Sequence, residues 1–211
     1  MVFEKKYTVK LLPGAFDRMD DSPDETFYAI PRFVTHIDPG AIRVVTDLYR
    51  KYLPPGGDIL DLMSSWVSHL PEEIKYRRVV GLGINDRELS RNKQLDEWSV
   101  HNLNKQPSLP YANQEFDGVI ICVSLDYLIR PVEVLEELGR ILKPGAPVII
   151  TYSNRCFETK AIAAWLSSSD HNRAYLIRTY LLEAGYFKEI ELMDCSPEAG
   201  DPLYAVVARV R

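Results

Sequence analysis

A short apolar run that contains one acid, GGDILDLMSSW at residues 56–66, carries the side chains best placed to bind a ligand. Its apolar residues predict a strand buried on both faces, with Asp61 near the carboxyl end. The hydroxyls of Ser64 and Ser65 and the indole of Trp66 follow directly. A carboxylate and small donors beyond a buried strand suit the polar parts of a ligand. The alternatives are a cap or ion pair for Asp61 and a plain turn for the three residues after it.

Polar side chains also follow each later strand that the sequence predicts. Asn85 and Asp86 follow a strand at 78–84, and Asn102 lies at the end of a strand at 98–103. The corresponding residues of the fourth and fifth strands are Cys122, Ser124, Asp126, Tyr127, Asn154 and Arg155. The carboxyl ends of parallel strands meet at one edge of a sheet, so these groups are expected to lie together.

Several of these residue types indicate particular chemistry. Asp126 and Tyr127 are candidates to accept a proton from a substrate. Arg155 is a candidate to bind an anionic substrate through two hydrogen bonds, although a surface arginine is equally expected in an acidic protein. Cys122 is interpreted as a small apolar filler, since buried thiols are usually inert.

An aromatic segment, TFYAIPRFVTHID, precedes the first long helix. Tyr28, Arg32 and His36 lie in it, and Arg32 and His36 share a face if the segment is helical. We predict that His36 is a further proton acceptor and that Tyr28 and Arg32 contact substrate. The segment is too apolar to remain in water, so residues 1–38 are predicted to form an arm and lid over a domain at 39–211. A packed flap without a role is the alternative.

The elements that position these residues alternate between strand and helix patterns. Asp38 is predicted to cap a helix that begins at Pro39, and a second helix begins at Pro131. Shorter helices are predicted at 85–94 and 159–166, and a longer one at 172–184. Two closing strands without a helix between them must pair antiparallel. The sequence therefore predicts a single α/β domain with a mostly parallel seven-stranded sheet, a terminal hairpin and helices on both faces.

The piece FDGVIICVSLDYLIRPVEVLEELGRILKPGAPVIITYSN, residues 116–154, resembles a strand, helix, turn and strand of one known family. That family is the class I S-adenosylmethionine-dependent methyltransferases, in particular the methyltransferase type 11 group. The resemblance covers residues 42–211 by the order of elements. It implies a Rossmann-like fold, S-adenosylmethionine as cofactor, and methyl transfer to a nucleophilic atom of a small molecule.

The resemblance also implies roles for individual residues. Asp61 matches the family's acid, while Met63, Ser65 and Val67 stand where its loop has glycines. Gly83 stands where an acid usually binds the ribose, so Asn85 or Asp86 is expected to take the hydroxyls. The remaining residues expected to contact the cofactor are Ser64, Ser65, Trp66, Asn102, Leu103, Cys122 and Ser124. Those expected to contact substrate are Tyr28, Arg32, Asn154 and Arg155.

The departures from the glycine motif leave two other functions open. One is a methyltransferase-like binding or regulatory domain without catalysis. The other is a protein methyltransferase, which ranks lower because no long insertion provides a peptide groove.

Composition narrows the class of partner. The 211 residues carry a net charge of −5, which argues against nucleic acid as the main partner. No apolar stretch approaches a membrane span, and the first residues do not form an export signal. The three cysteines, Cys122, Cys156 and Cys195, show no metal-binding spacing. We therefore expect a cytoplasmic protein, a monomer or homodimer, that binds no metal and contacts neither membrane nor nucleic acid.

Overall fold

The computed structural model describes residues 13–211, and a seven-stranded sheet is their framework. The strands are β1 (Asp58–Leu62), β2 (Arg78–Gly83), β3 (Glu97–Val100), β4 (Gly118–Cys122), β5 (Pro147–Tyr152), β6 (Phe187–Asp194) and β7 (Tyr204–Val210). Their order across the sheet is β3-β2-β1-β4-β5-β7-β6. The first five strands run parallel, and β7 is antiparallel to β5 and β6. The predicted fold class is confirmed.

Two apolar cores lie on opposite faces of this sheet. Leu60 and Leu62 of β1 enter one core and Ile59 enters the other, because successive strand side chains point to opposite faces. Strands buried on both faces need helices on both faces, which is why the central strands read as continuous apolar runs.

The helices supply those two covers. They are α1 (Asp24–Phe27), α2 (Pro39–Tyr52), α3 (Asp86–Leu89), α4 (Pro131–Ile141), α5 (Ala163–Leu166) and α6 (Asp170–Ala184). The apolar side of α2 joins the core of Ile59, and those of α4 and α6 join the core of Leu60. As predicted, Asp38 caps α2, and its Oδ1 accepts a hydrogen bond from the Ala41 N–H at 2.9 Å.

Several boundaries differ from those the sequence predicts, including that of β3, which ends at Val100 rather than at 103. Helix α3 ends at Leu89 rather than near residue 94, and the side chain of Gln94 instead accepts hydrogen bonds from the N–H groups of Ser68 and Leu70. Helix α5 is limited to Ala163–Leu166, and α6 begins at Asp170 with Ser169 as its cap. The predicted arm contains the short helix α1, and its part before residue 13 lies outside the described residues.

The topology brings the functional loops to one edge. Connections leave β1 and β4 toward opposite sides of the sheet, and the carboxyl ends of strands at such a switch point form a crevice for ligands. Within residues 13–211, no helix is long and apolar enough to cross a bilayer.

Candidate active site

A cavity of about 400 Å³ lies at the carboxyl ends of the parallel strands. The loops after β1 to β5 form its floor and walls, and residues from Asp24 to His36 form its roof. Its volume is at the low end of the range for sites that bind small molecules.

Most residues that the sequence singled out line this cavity. Those that do are Tyr28, Arg32, His36, Ser64, Ser65, Asn85, Asn102, Leu103, Cys122, Ser124, Tyr127 and Arg155. In the described chain, the residues that the structure places outside the lining are Asp61, Trp66, Asp86, Asp126 and Asn154. The lining therefore differs from the predicted set mainly in its acids.

Asp61 is buried beneath the loop that follows β1. Its Oδ2 accepts hydrogen bonds from the hydroxyls of Ser64 and Ser68, each at 2.6 Å. Asn92 donates to Ser68 Oγ at 2.8 Å and to the Ser65 carbonyl at 3.0 Å. Burial raises the pKa of Asp61 to about 6, although the two serine hydrogen bonds oppose the rise. Asp61 thus holds the loop in place by its hydrogen bonds.

The same loop makes a turn that glycine usually makes. Met63 adopts a φ of 60°, a left-handed conformation that is unfavourable for most side chains. The Ser64 N–H then donates to the Leu82 carbonyl at 2.8 Å, which places the loop across the end of β2. A Cβ at Gly83 would lie 2.2 Å from the Ser64 carbonyl oxygen. The loop path therefore excludes any side chain at position 83, including the acid of the family pattern.

Glu88 is the acid that lines the cavity beside β2, and the sequence reasoning missed it. Asn85 caps α3 with its Oδ1 and donates to the Tyr28 carbonyl at 2.7 Å, so its side chain is already engaged. Asp86 accepts from the Trp98 indole at 3.0 Å, away from the cavity. Glu88 accepts from the Arg32 N–H at 2.7 Å and from the Ser65 hydroxyl at 2.6 Å. Since a carboxylate has about four acceptor positions, Glu88 retains capacity for a ligand.

The sequence contained one signal for Glu88, which is its spacing from Asn85. Asn85 and Glu88 have the spacing of a capping box, in which the acid would bond back to the cap. In the structure the Glu88 side chain instead faces the cavity. An acid at this spacing after a strand is therefore a candidate ligand contact.

Asn102 and Leu103 line the wall below β3. The Asn102 side chain accepts from the N–H of Asn104 at 3.0 Å and of Lys105 at 3.3 Å, the turn that was the alternative interpretation. The Asn104 side chain links this wall to the roof, because its Nδ2 donates to Asp24 and to the Tyr127 carbonyl, each at 2.9 Å.

The end of β4 presents polar groups that are less satisfied. Ser124 lines the cavity, and its buried hydroxyl has no hydrogen-bond partner among residues 13–211. Val123 beside it has a φ of 43°, a strained conformation for a β-branched residue. Burial raises the pKa of the Cys122 thiol to about 11, which keeps the thiol protonated and unreactive.

Asp126 and Tyr127 form a 3₁₀ turn after β4. Tyr127 accepts a hydrogen bond from the Phe157 N–H at 2.9 Å, and burial raises its pKa, so the phenol remains protonated. Asp126 lies behind the lining, and its Oδ2 is buried without a partner in the described part of the chain. Burial raises the pKa of Asp126 to about 7.

The roof is fixed at its base and held more lightly beyond it. Lys160 is fully buried, and its Nζ donates to the carbonyls of Asp20 at 3.0 Å and Ser22 at 2.6 Å. Asp24 accepts from Arg18 at 2.7 Å. Beyond the base, the Trp66 indole donates to the Val34 carbonyl at 3.0 Å, which gives Trp66 a role outside the cavity.

Aromatic rings pack beneath the roof. Phe157, after β5, packs edge-on against Phe27, Tyr28 and His36, with centroids 5.5, 6.4 and 5.3 Å away. Asn154 is exposed and accepts a weak hydrogen bond from Ser153. Arg155 is exposed at the mouth of the cavity.

Three comparisons with known proteins bear on this site. A family model described as "Methyltransferase domain" matches residues 64–150. A demethylmenaquinone methyltransferase of Mycobacterium sp. (strain JLS) is 29% identical over 155 residues, which cover 65% of this chain and 66% of that protein. The match therefore spans slightly less than two thirds of that relative.

Solved structures agree in fold. A S-adenosylmethionine-dependent methyltransferase from Aquifex aeolicus is 19% identical, with a TM-score of 0.58 over 82% of this chain and 94% of that one. Phosphoethanolamine N-methyltransferase 2 of Haemonchus contortus, in complex with S-adenosyl-L-methionine, is 13% identical, with a TM-score of 0.58 over 80% of this chain and 52% of that one.

The fold, the position of the cavity and the family match define a class. The chain has the fold of the class I S-adenosylmethionine-dependent methyltransferases, whose cofactor is S-adenosylmethionine, and its residues 64–150 match the methyltransferase domain model. The site fits that cofactor. The buried Ser124 hydroxyl at the cavity is without a partner in the described residues, and Glu88 offers acceptor positions.

Proposed function

We propose that this chain transfers the methyl group of S-adenosylmethionine to a small molecule bound beneath the roof, at the β4–β5 end of the cavity. The observation that carries the proposal is the roof itself. Residues from Asp24 to His36 close a cavity of about 400 Å³, which suits a small acceptor better than a peptide or nucleic acid strand. The net charge of −5 also disfavours nucleic acid.

The names of two relatives support a small acceptor. One relative is a demethylmenaquinone methyltransferase and another is a phosphoethanolamine N-methyltransferase. Both names refer to small molecules. Their acceptors differ chemically, so the names support the size of the substrate and not its identity.

Most of the residues that would hold the cofactor lie at the β1–β2 end, and Ser124 lies at the end of β4. Glu88 would accept from the ribose hydroxyls, in place of the acid that the loop excludes at position 83. Asn102 and Leu103 would border the adenine, and Ser124 would donate its free hydroxyl. When bound, the cofactor supplies an electrophilic methyl group, and the protein contributes alignment and exclusion of water.

His36 is the best-placed proton acceptor of the three that the sequence suggested. It lines the cavity, and burial lowers its pKa, which keeps the imidazole neutral and able to accept a proton. Tyr127 stays protonated, and Asp126 lies behind the lining. If the acceptor atom of the substrate carries a proton, His36 would remove it.

Met63 bears on the alternative of a domain without catalysis. That alternative was motivated by the missing glycines, and Met63 makes a left-handed turn without glycine. The structure therefore offers no observation that favours it.

The test is calorimetry of the full chain with S-adenosylmethionine and S-adenosylhomocysteine, followed by an assay for S-adenosylhomocysteine release with quinols, phenols and amino phosphates as acceptors. Micromolar binding of both ligands and turnover of a small acceptor are expected. Absence of heat at millimolar ligand would contradict the proposal. Transfer of the cofactor's methyl group only to protein, and to no small acceptor, would also contradict it.

A further inference from the structure

Arg32 is an arginine at the cavity whose guanidinium has little to bind. Its Nη2 donates to the Phe27 carbonyl at 3.1 Å. Its Nη1 is buried and has no partner among the residues that the structure describes. The group lies over the rings of Phe27 and Phe157, with its Cζ 4.8 and 5.1 Å from their centroids. Aromatic faces hold a cation in place but leave its N–H groups unsatisfied.

Other well-covered arginines show what this position lacks. Arg18 pairs with Asp24, Arg78 with Glu115, and Arg173 with Asp170, at 2.7, 2.8 and 2.6 Å. Arg32 pairs with no carboxylate in residues 13–211. An arginine remains charged in proteins, and a buried N–H without an acceptor is costly. The cost is offset if an anion binds there during function.

The neighbouring acid does not fill that role. Glu88 accepts the backbone N–H of Arg32, not its guanidinium, and its other oxygen accepts from Ser65. The carboxylate thus fixes the position of residue 32 while the guanidinium turns toward the rings after β5. Arg32 therefore has its backbone at the β1–β2 end and its charge at the β4–β5 end.

Two further donors line the same cavity. The buried Tyr28 hydroxyl lines the cavity and has no partner in the described chain, and burial raises its pKa so that it stays a donor. Arg155, two residues before Phe157, lies at the mouth without an ion pair in the range that the structure covers. Two guanidinium groups and a phenol make a donor set for an oxyanion.

We infer that the methyl acceptor carries an oxyanion, a carboxylate or a phosphate, and that Arg32 binds it with help from Tyr28 and Arg155. The inference rests on the proposed function, since it names the class of substrate for the same site. The planar fork of Arg32 is oriented by three aromatic rings, so a planar or tetrahedral oxyanion can be bound through two hydrogen bonds.

The experiment uses calorimetry on the full chain with benzoate, inorganic phosphate and the neutral analogue benzamide, each with and without saturating S-adenosylhomocysteine. At least one anion should bind at millimolar concentration or better, and benzamide should bind at least tenfold more weakly. Preference for benzoate would identify a carboxylate, and preference for phosphate would identify a phosphate.

Variants assign the binding to the guanidinium. Arg32→Gln should lower the affinity for the anion at least tenfold, and Arg32→Lys should retain more of that affinity than Arg32→Gln does. Tyr28→Phe should lower it about threefold. Arg87→Gln removes an exposed arginine of α3 and should change nothing. Thermal midpoints check that every variant is folded.

The outcomes separate this inference from the proposed function. Failure of wild-type protein to bind S-adenosylhomocysteine would contradict the proposed function, while the anion measurements without it still test Arg32. The inference is overturned if neither anion binds, if benzamide binds as well as benzoate, or if Arg32→Gln leaves anion affinity unchanged. A tenfold loss of S-adenosylhomocysteine affinity in Arg32→Gln, without loss of anion binding, would assign the guanidinium to the cofactor carboxylate and also overturn it.

Discussion

The two ends of the cavity differ in how far their polar atoms are satisfied. At the β1–β2 end, Asp61, Ser64, Ser65 and Asn85 are engaged with one another or with nearby backbone. At the β4–β5 end, Ser124, Arg32 and Tyr28 each keep a buried polar atom without a partner in residues 13–211. Buried polar atoms are usually hydrogen-bonded, so these three atoms at the cavity are available to a ligand.

This difference suggests a division of work. A satisfied network is rigid, and it suits a part of the site that must hold one loop path in every turnover. Unsatisfied donors gain partners only when a ligand arrives, which favours binding there. The β1–β2 end therefore preserves shape, and the β4–β5 end selects the molecule that binds.

The largest change in stability is expected at Lys160, where the roof is anchored. Lys160→Met removes the donor to the Asp20 and Ser22 carbonyls and leaves Asp24 with less positive charge. Loss of one member of a buried ion pair costs about 3–5 kcal/mol. We expect a loss of that size in urea unfolding, or release of residues 20–36 seen as faster hydrogen exchange. Lys143→Met, at a more exposed pair with Asp117, is the matched control and should cost less than about 1 kcal/mol.

The roof also tests the predicted lid. Deletion of residues 1–37 should abolish methyl transfer and leave a core that folds, since the sheet and helices α2 to α6 lie beyond it. Hydrogen exchange of residues 27–36 should slow when S-adenosylhomocysteine is added. Unchanged exchange together with full activity of the truncated chain would show that the segment is not a lid.

A second effect is expected at Asp126, and it depends on pH. Its pKa in the folded protein, about 7, lies above the ordinary value of 3.8, so the protonated form is favoured by folding. The contribution to stability is full below pH 3.8 and is lost as pH rises through 7. Asp126→Asn mimics the protonated acid and should stabilise the protein by about 2–4 kcal/mol at pH 8.5.

At pH 4 the same variant should lie within about 1 kcal/mol of wild type, because the carboxyl is then protonated in the folded protein and only partly ionised in the unfolded one. Urea unfolding at pH 4, 6 and 8.5 measures the difference directly. An equal effect of Asp126→Asn at every pH would mean that the pKa of Asp126 is the same in the folded and the unfolded protein.

Local sequence patterns were sufficient to predict the strands and helices, but not the hydrogen-bond networks between distant residues. The piece at 116–154 specifies its strands and helix through apolar periodicity, a proline at a helix start and a Pro-Gly stop, all of which are local signals. The anchor at Lys160 is different. It depends on contacts with residues about 140 positions away, and a lysine in an apparently helical stretch gives no sign that it is fully buried.

The cofactor side is tested by Glu88. Glu88→Gln keeps the size of the side chain but removes its charge, and hydrogen bonds to charged groups contribute about 1.5–3 kcal/mol. S-adenosylhomocysteine affinity measured by calorimetry should fall about tenfold to hundredfold. Asp86→Asn, two residues earlier and facing Trp98, is the matched control and should stay within twofold.

Binding of adenosine and of methionine shows which part of S-adenosylhomocysteine Glu88 contacts. Adenosine should show the same loss in Glu88→Gln, and methionine, which lacks a ribose, should show none. A larger loss in Asp86→Asn than in Glu88→Gln would restore the original sequence prediction for the ribose and remove Glu88 from the site.

The sequence predicts where the site residues lie but not which of their polar atoms are free to bind a ligand. Asn85 and Asp86 were predicted to bind the ribose because they directly follow a strand. In the structure Asn85 caps α3, and Asp86 accepts a hydrogen bond from the Trp98 indole. Sequence position gives the edge of the sheet on which a side chain lies. Which side chains remain free at that edge depends on long-range hydrogen bonds, such as the one from Arg32 to Glu88, that no local pattern contains.

The smallest effect concerns the backbone at Met63. Its φ of 60° costs about 1–2 kcal/mol for a residue with a Cβ. Met63→Gly and Met63→Ala remove nearly the same side chain, so the difference between them isolates the backbone. The glycine variant should be the more stable by about 1 kcal/mol, although glycine normally costs 0.5–1 kcal/mol relative to alanine within regular structure by rough estimate.

The sign of that difference decides the interpretation of the loop. A more stable glycine variant with S-adenosylhomocysteine affinity equal to that of the alanine variant would show that the strain at Met63 only completes the loop path. The same gain in stability with weaker binding than the alanine variant would show that the strained, well-fixed turn contributes to the site. If alanine is the more stable of the two, the left-handed turn is absent in solution. The satisfied β1–β2 end would then need another loop path from Leu62 to Ser64.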